Sequence, residues 1–508
     1  MAETIGALLE RGRDDDPAIL AVERPALSYR ALRRQVAETI AALNGFGVGR
    51  GDPVAIVLPN GPEMATAFVA AASGATAAPL NPAYRAEELA FYLSDLQAKA
   101  LIVEAGADSP ARAVAAEHGL RVLELVRPVG AAAGQFTLQA ASAETGGTAS
   151  RPGPGAADEV GLVLHTSGTT SRPKIVPLTQ RNLAASAQQI RDTLALTPDD
   201  RCLNVMPLFH IHGLMAAVLA SLAAGSSVVC TPGFNALRFF AWLDEFRPSW
   251  YTAVPTMHQA ILARAARNAE NVARAQLRLI RSSSASLPPQ VMADLEATFR
   301  CPVIESYGMT EATHQMTSNP LPPRPRKPGS VGIAAGPKIG VMGPAGRLLD
   351  AGEVGEVVIR GASVTLGYQN NPEANAAAFA DGWFRTGDQG VLDDEGYLTI
   401  TGRIKEIINR GGEKVAPLEV DNVLSAHPAV AQAITFAMPH AKLGEEVAAA
   451  IVLREGQAAS EREIRDFAAE RLADFKVPRK IVFLDEIPKG ATGKLQRIGL
   501  AEKLGLGA

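Results

Sequence analysis

The chain has 508 residues, of which 47% are hydrophobic and 20% charged, with a formal net charge of -4. That length allows more than one core, and the near-neutral charge gives no electrostatic footing for nucleic acid or an anionic membrane, so the expected partners are small molecules or proteins. Cys202, Cys230 and Cys301 lie far apart, a spacing that suggests neither a disulfide framework nor a zinc site. The N-terminal stretch turns acidic at Asp14-Asp15-Asp16 without an apolar run, which argues against a secretory signal. The last residues carry no peroxisomal address, and the expected compartment is the cytoplasm.

Residues 26–125 alternate helical stretches (30–45, 63–74) with apolar strands (54–58, 100–103), a pattern that predicts parallel α/β layers. Residues 127–157 are dominated by Ala, Gly, Ser and Pro and are expected to form a mobile connection. A buried strand is predicted at 160–164, and alternation resumes with strands at 228–230, 250–254 and 279–281. The apolar stretch 213–230 contains small and polar residues and reads as packed helix plus strand, not as a membrane span. After Pro320 the texture becomes Gly-rich strand and turn, as in 355–361, which predicts a β-rich subdomain. Beyond Gly402-Arg403, short strands (433–436, 450–453) and an amphipathic helix near 461–473 predict an independent α+β domain. The expected class is therefore α/β, with a large domain over 1–402 and a small mobile domain over 403–508.

Four segments carry chemistry. Residues 166–174 read Thr-Ser-Gly-Thr-Thr-Ser-Arg-Pro-Lys directly after the predicted strand. Small and hydroxyl residues leave backbone N–H groups free to converge on an anion, and Lys174 adds a point charge; the Walker spacing is absent. Residues 305–311, Glu-Ser-Tyr-Gly-Met-Thr-Glu, combine an aromatic face for a nucleobase with a hydroxyl and a carboxylate one residue apart, suited to a phosphate and its magnesium. Residues 382–388 end in Asp388, which can accept two bonds from ribose hydroxyls, and Arg403 can reinforce it. Near the C-terminus Lys494 occupies a Gly-Lys turn from which a mobile cation can reach a distant anion.

In this order, the segments resemble the motif series of the adenylate-forming superfamily of acyl-CoA synthetases, luciferases and adenylation domains, from about residue 25 to residue 500. The resemblance implies that Thr166, Ser167, Gly168, Thr169, Thr170 and Lys174 hold the ATP phosphates. It places Ser283, Ala285, Glu305, Tyr307 and Gly308 around the nucleotide, with Tyr307 stacked on adenine. Thr310 would touch the α-phosphate, Glu311 and Thr170 would bind magnesium, and Asp388 and Arg403 would meet the ribose. Lys494 would bridge the acid and the α-phosphate, and Lys405 would be the hinge. Gly411, Gly412 and Lys414 would line the CoA route. ATP and CoA are the implied cosubstrates, and the chain is expected to act as a monomer or homodimer. Ser171 and Ile175 replace residues that are often glycine in the family, so the loop after Lys174 is expected to be shaped differently if it needs a left-handed backbone at Ile175.

The acid pocket of this family lies near the segment here reading Arg281-Ser282-Ser283-Ser284-Ala285-Ser286-Leu287. Members that accept bulky acids tend to have glycine where Ser284 stands; serine narrows the space and adds a donor. His314 follows Glu311 closely, His210 and His212 are expected to flank the pocket entrance, and His210 is a further candidate for a part in the chemistry. A lining of donors suits a small, doubly charged acid, because a buried anion needs partners. These segments, with 169–174, 310–314 and 250–256, resemble those of oxalate–CoA ligases, which implies oxalate + ATP + CoA giving oxalyl-CoA + AMP + diphosphate. The alternatives are another short acid, such as malonate or a small monocarboxylate, on the same machinery, or an inactive nucleotide-binding protein that works through partners.

Overall fold

The structure is a computed structural model that describes residues 2–141, 147–166, 173–489 and 495–507. Two large sheets organise the first two-thirds of it. One has seven strands in the order Thr137–Ala140, Arg121–Val126, Ala100–Glu104, Pro53–Val57, Thr76–Pro79, Val160–His165 and Ile175–Thr179. Its central pairs are parallel and the two edge pairs antiparallel. The apolar strands at its centre are flanked by helices such as Pro62–Gly74, almost wholly buried because small residues on every face let it pack against both layers.

The second sheet has nine strands, and its parallel middle runs Val303–Met309, Leu279–Ser282, Trp250–Ala253, Arg201–Asn204, Ser227–Cys230 and Pro17–Leu20. The strand nearest the N-terminus thus joins the sheet built mostly from residues after 200, pairing in parallel with Ser227–Cys230. Side-chain alternation divides this sheet cleanly. Trp250 and Leu279 face a core shared with the first sheet, whereas Tyr251, Ala253 and Ile280 face a second core under helices Phe239–Phe246 and Pro289–Phe299.

A five-stranded, β-rich unit follows, of Lys338–Met342, Val354–Arg360, Phe379–Ala380, Trp383–Leu392 and Leu398–Arg403. A last five-stranded sheet, with strands Val430–His440 and Gly444–Leu453 at its heart, builds its own core with helices Pro417–Ser425 and Glu461–Ala469. Large and small domains are thus both present. Among the described residues no helix is long and apolar enough to cross a membrane.

Two expectations need correction. Much of the segment predicted as a mobile connection is fixed: Thr137–Ala140 adds an edge strand to the first sheet, Ala133 and Phe136 are buried, and Gln35 bonds the backbone of Phe136 in both directions. Composition hid this, since one aromatic among small residues is enough to anchor a strand when its neighbours supply hydrogen bonds. Ile175 also needs no left-handed backbone: it opens an extended strand and pairs with His165, its side chain buried.

Candidate active site

The strand Val303–Met309 is parallel to its inner neighbour at its start, then pairs antiparallel with His314–Ser318 across a tight turn at Thr310–Ala312. Gly308 makes that reversal possible, because a Cβ there would lie 1.5 Å from the His314 carbonyl oxygen. The fold presents Tyr307, Thr310 and Glu311 at the carboxyl end of the sheet, where open α/β sheets bind ligands.

Tyr307 donates its hydroxyl to Asp388 Oδ2 at 2.5 Å. The other oxygen of Asp388 meets Arg403 Nε at 3.0 Å, as expected of residues directly opposite on antiparallel strands. Burial, and then the neighbouring Asp388 carboxylate, raise the pKa of Tyr307 and keep its phenol protonated. A carboxylate oxygen accepts more than one bond, so Asp388 retains acceptor capacity for a further hydroxyl.

Glu311 is buried, and burial raises its pKa, opposed by its own backbone bond, by the bond from Tyr368 and by the charges of Arg403 and Lys174. Tyr368 donates its hydroxyl to Glu311 Oε1 at 2.8 Å, and Lys174 Nζ lies 4.5 Å from the centre of the Tyr368 ring. The segment carrying Tyr368 is itself bonded to both neighbours. Thr365 N–H donates to Glu311 O at 2.7 Å and Gln369 N–H to Ile175 O at 3.0 Å. One unforeseen aromatic thus joins the two most chemical loops. The loop from 166 to 174 is closed by Thr166 N–H donating to Lys174 O at 2.9 Å; Ser167, Gly168, Thr169 and Thr170, with Ser171, lie outside the described residues.

Ser283 and Glu305, expected around the nucleotide, both bond protein through their side chains. Ser283 Oγ donates to Ser306 O at 2.9 Å, and Glu305 Oε1 accepts from Leu287 N–H at 2.8 Å. The other Glu305 oxygen has no partner among the described residues, and burial pushes this carboxyl up to about 8. Both side chains pin the 283–287 loop against the neighbouring strand, leaving Ser284 and Ala285 partly exposed.

On the other side of that loop, Ser284 and the histidines converge. His212 opens a π-helix over His212–Leu219, a wide turn often found at functional sites. Its Nδ1 lies 2.9 Å from Ser284 Oγ and its Nε2 lies 2.6 Å from Thr252 Oγ1. The His314 ring stacks on it, centres 4.9 Å apart. His212 is fully buried, so it stands behind Ser284 and not at an entrance; His210 is partly exposed and accepts the His212 N–H on its Nδ1. Burial, together with the positive charge of Arg281, holds the pKa of both His212 and His314 well below the usual value, so both rings are neutral at pH 7. Ser284 and His314 have φ of 72° and 94°, the left-handed region that side chains other than glycine's adopt at a cost.

Arg281 opens the acid-pocket segment, yet no motif assigned it a role of its own. It sits in a central strand directly beside Thr252, fully buried. Its Nη1 donates to Thr252 Oγ1 at 3.4 Å and its Nη2 to Gln315 Oε1 at 3.3 Å. Its Nε has no partner and no carboxylate pairs with it among the described residues. Burial pulls its pKa down to about 9, which leaves it charged at neutral pH. An arginine directly after the apolar pair Leu279-Ile280 of a predicted strand was the available sequence signal.

In the small domain Lys405 lies in the turn Ile404–Glu406, directly after the strand that ends in Arg403. Gly411 and Gly412, both at positive φ, make the two-residue turn of a hairpin that also carries Lys414. Lys494 lies outside the described residues. The chain on either side of it is anchored, by a bridge between Lys489 and Leu495 and by Arg497, which bonds Glu406 Oε2 at 3.2 Å and Asp421 Oδ2 at 2.8 Å.

The AMP-binding enzyme family matches residues 9–369, and the AMP-binding enzyme C-terminal domain matches residues 419–494. The chain is 46% identical over 455 residues to the oxalate–CoA ligase of Arabidopsis thaliana, covering 89% of this chain and 88% of that one. It is 42% identical over 477 residues to the oxalate–CoA ligase of Saccharomyces cerevisiae, covering 90% and 87%. Among solved structures, ATP-bound MatB from Rhodopseudomonas palustris superposes with a TM-score of 0.87 at 30% identity, over 99% of both chains. The chain belongs to the AMP-binding enzymes, in their acid–CoA ligase branch.

Proposed function

We propose that this enzyme activates oxalate, converting oxalate, ATP and CoA to oxalyl-CoA, AMP and diphosphate. The observation that carries the reading is the buried cluster behind Ser284, where neutral imidazole and hydroxyl groups surround a guanidinium with no carboxylate partner. A buried cation without a counterion is costly, and a substrate anion nearby reduces that cost. The likeness to two oxalate–CoA ligases supports the same acid.

A carboxylate is a poor electrophile. One of its oxygens attacks the ATP α-phosphorus, diphosphate leaves, and the acyl-adenylate then accepts the CoA sulfur at its carbonyl carbon as AMP departs. In this reading Thr166, Ser167, Gly168, Thr169, Thr170 and Lys174 hold the phosphates, Tyr307 faces adenine, and Asp388 with Arg403 holds the ribose. Ala285 and Gly308 border the nucleotide through backbone, and Thr310 meets the α-phosphate. His210 borders the acid. Lys494 bridges acid and phosphate during adenylation, then yields its place as the small domain turns about Lys405 and brings Gly411, Gly412 and Lys414 to CoA. A boundary between residues 402 and 403 fits that rotation.

Magnesium fits the residues present. Glu311 is a buried carboxylate with one oxygen held by Tyr368, and no cluster of three or more ligating side chains occurs among the described residues. That is the donor set of an ion held by one carboxylate and the substrate's phosphates. When bound it would offset charge on the phosphates; Glu311 and Thr170 would hold it.

The test is ATP–diphosphate exchange across a panel of short acids, with no partner protein added. Oxalate should support the highest kcat/KM. If butyrate supports exchange better than oxalate, the dicarboxylate reading fails; if no acid supports it, the inactive-protein alternative stands.

A further inference from the structure

Four side chains form a continuous chain from the buried cation to the partly exposed serine: Arg281 Nη1 to Thr252 Oγ1 at 3.4 Å, Thr252 Oγ1 to His212 Nε2 at 2.6 Å, and His212 Nδ1 to Ser284 Oγ at 2.9 Å. Its two ends differ in kind. A guanidinium can only donate, so Thr252 Oγ1 accepts at that contact. The Thr252 hydroxyl proton is then available to His212 Nε2, which accepts it as the unprotonated nitrogen of a neutral ring. Nδ1 of that ring carries the hydrogen and donates to Ser284 Oγ. The Ser284 hydroxyl has accepted and therefore directs its own proton onward. The opposite polarity would turn the positive ends of the Thr252, His212 and Ser284 dipoles toward a buried positive charge, in surroundings where that repulsion is little screened.

We infer that Arg281 acts as a positioning residue that, through Thr252 and His212, fixes Ser284 as a hydrogen-bond donor to the second acidic group of the substrate. The inference rests on the acid-side reading above and deepens it: substrate selection begins three residues behind Ser284, the group that the acid meets. It also explains why a serine occupies a left-handed backbone position at 284, where glycine would be unstrained. Glycine would remove the only group that delivers the chain's polarity. Neutral histidine is required for the relay, since a doubly protonated ring could not accept from Thr252.

Thr252 supplies the cleanest test, because Thr252→Val keeps shape and leaves Arg281 in place while deleting the relay oxygen, and Thr252→Ser restores that oxygen. Diphosphate exchange is measured with oxalate and with propionate in the full-length enzyme. The expected result is a loss of about ten-fold or more in oxalate kcat/KM for Thr252→Val, carried mainly by the oxalate KM, with ATP KM and propionate exchange changed less than about three-fold. Thr252→Ser should recover most of the loss. In parallel, the nitrogen NMR shifts of His212, assigned by difference with His212→Gln, should show the Nδ1-protonated tautomer in the parent and lose that preference in Arg281→Gln. Equal oxalate kinetics for the Val and Ser variants, or equal losses with oxalate and propionate, overturns the relay while leaving the oxalate reading intact. A parent that prefers another acid with a second anionic group, still lost in Thr252→Val, overturns oxalate and keeps the relay. A parent that prefers propionate to every diacid overturns both.

Discussion

The two sides of the site solve opposite electrostatic problems. On the nucleotide side the described charges have an answer within the protein: Asp388 is paired with Arg403 and Tyr307, and Glu311 is bonded by Tyr368 with Lys174 over the same ring. On the acid side the buried charge, Arg281, is answered among the described residues by a hydroxyl and an amide oxygen alone, and two residues hold left-handed backbones. A site whose charges are already balanced can bind a common cosubstrate without being specialised for the acid. A site with a surplus cation and stored strain is specialised for the ligand that relieves them. Activity and specificity should therefore break separately when the two sides are perturbed.

The largest effect is expected at Lys494, which in the proposed reaction serves both sides. Lys494→Ala should lower adenylation by about 10²–10³, the usual cost of losing one group aimed at developing charge, yet leave thioester formation from supplied oxalyl-adenylate largely intact. Rapid-quench assays of the separate half-reactions check this, and equal damage to both would remove Lys494 from the bridging role.

Next come Ser284→Gly and His314→Ala, which strike the acid side alone. Each leaves a charged oxygen short of a donor, a loss of roughly 1–3 kcal/mol or more, so oxalate kcat/KM should fall by about ten-fold to a few hundred-fold. ATP KM should hardly move, and short monocarboxylates should compete better. Ser284→Gly should also leave Tm unchanged or raise it, because glycine adopts a φ of 72° without strain. A drop in Tm alongside the lost activity would mean that Ser284 is structural. Unchanged preference for oxalate over butyrate in both variants would free the two residues of any part in selection.

Tyr368→Phe perturbs the nucleotide side more gently. It deletes the hydroxyl bonded to Glu311 but keeps the ring under Lys174. A hydrogen bond to a charged group is worth about 1.5–3 kcal/mol, so kcat/KM for ATP should fall by about ten-fold or more, equally with every acid. A loss that depended on the acid would undo the separation of the two sides.

How much of this could be read from residues alone follows the same division. Motif chemistry on the nucleotide side is contiguous: Tyr307, Thr310 and Glu311 lie within one turn of chain, so their grouping was visible before any fold was known. Tyr368 was not, because it reaches Glu311 across 57 positions of sequence through a segment whose only local mark is one aromatic after a glycine. The α/β layers were legible from strand periodicity, although the amphipathic helix predicted near 461–473 ends at Ala469. That the Pro17–Leu20 strand crosses to the second sheet has no local signal at all. On the acid side, Ser284 and His314 were found by resemblance, whereas Thr252 and Arg281 come together only through register between parallel strands, which sequence spacing does not encode.

The smallest effect on catalysis is expected at Glu305, and it separates structural burial from nucleotide binding. Its carboxyl is fully buried, accepts one backbone N–H from Leu287, and titrates at about 8 where an unfolded glutamate titrates near 4.5. Between those two values the folded chain holds a proton that the unfolded chain has lost. Stability from this group is therefore complete below pH 4.5 and declines as pH rises toward 8, at up to about 1.4 kcal/mol per pH unit. Glu305→Gln keeps an acceptor for Leu287 and cannot ionise, so its Tm advantage over the parent should grow from pH 5 to pH 8 while ATP KM stays within about two-fold. A Tm difference that is the same at both pH values would mean that Glu305 is ionised in the fold. A large rise in ATP KM would instead return Glu305 to the nucleotide-binding set, and the loop from 283 to 287 would then be held by the ligand as well as by the strand behind it.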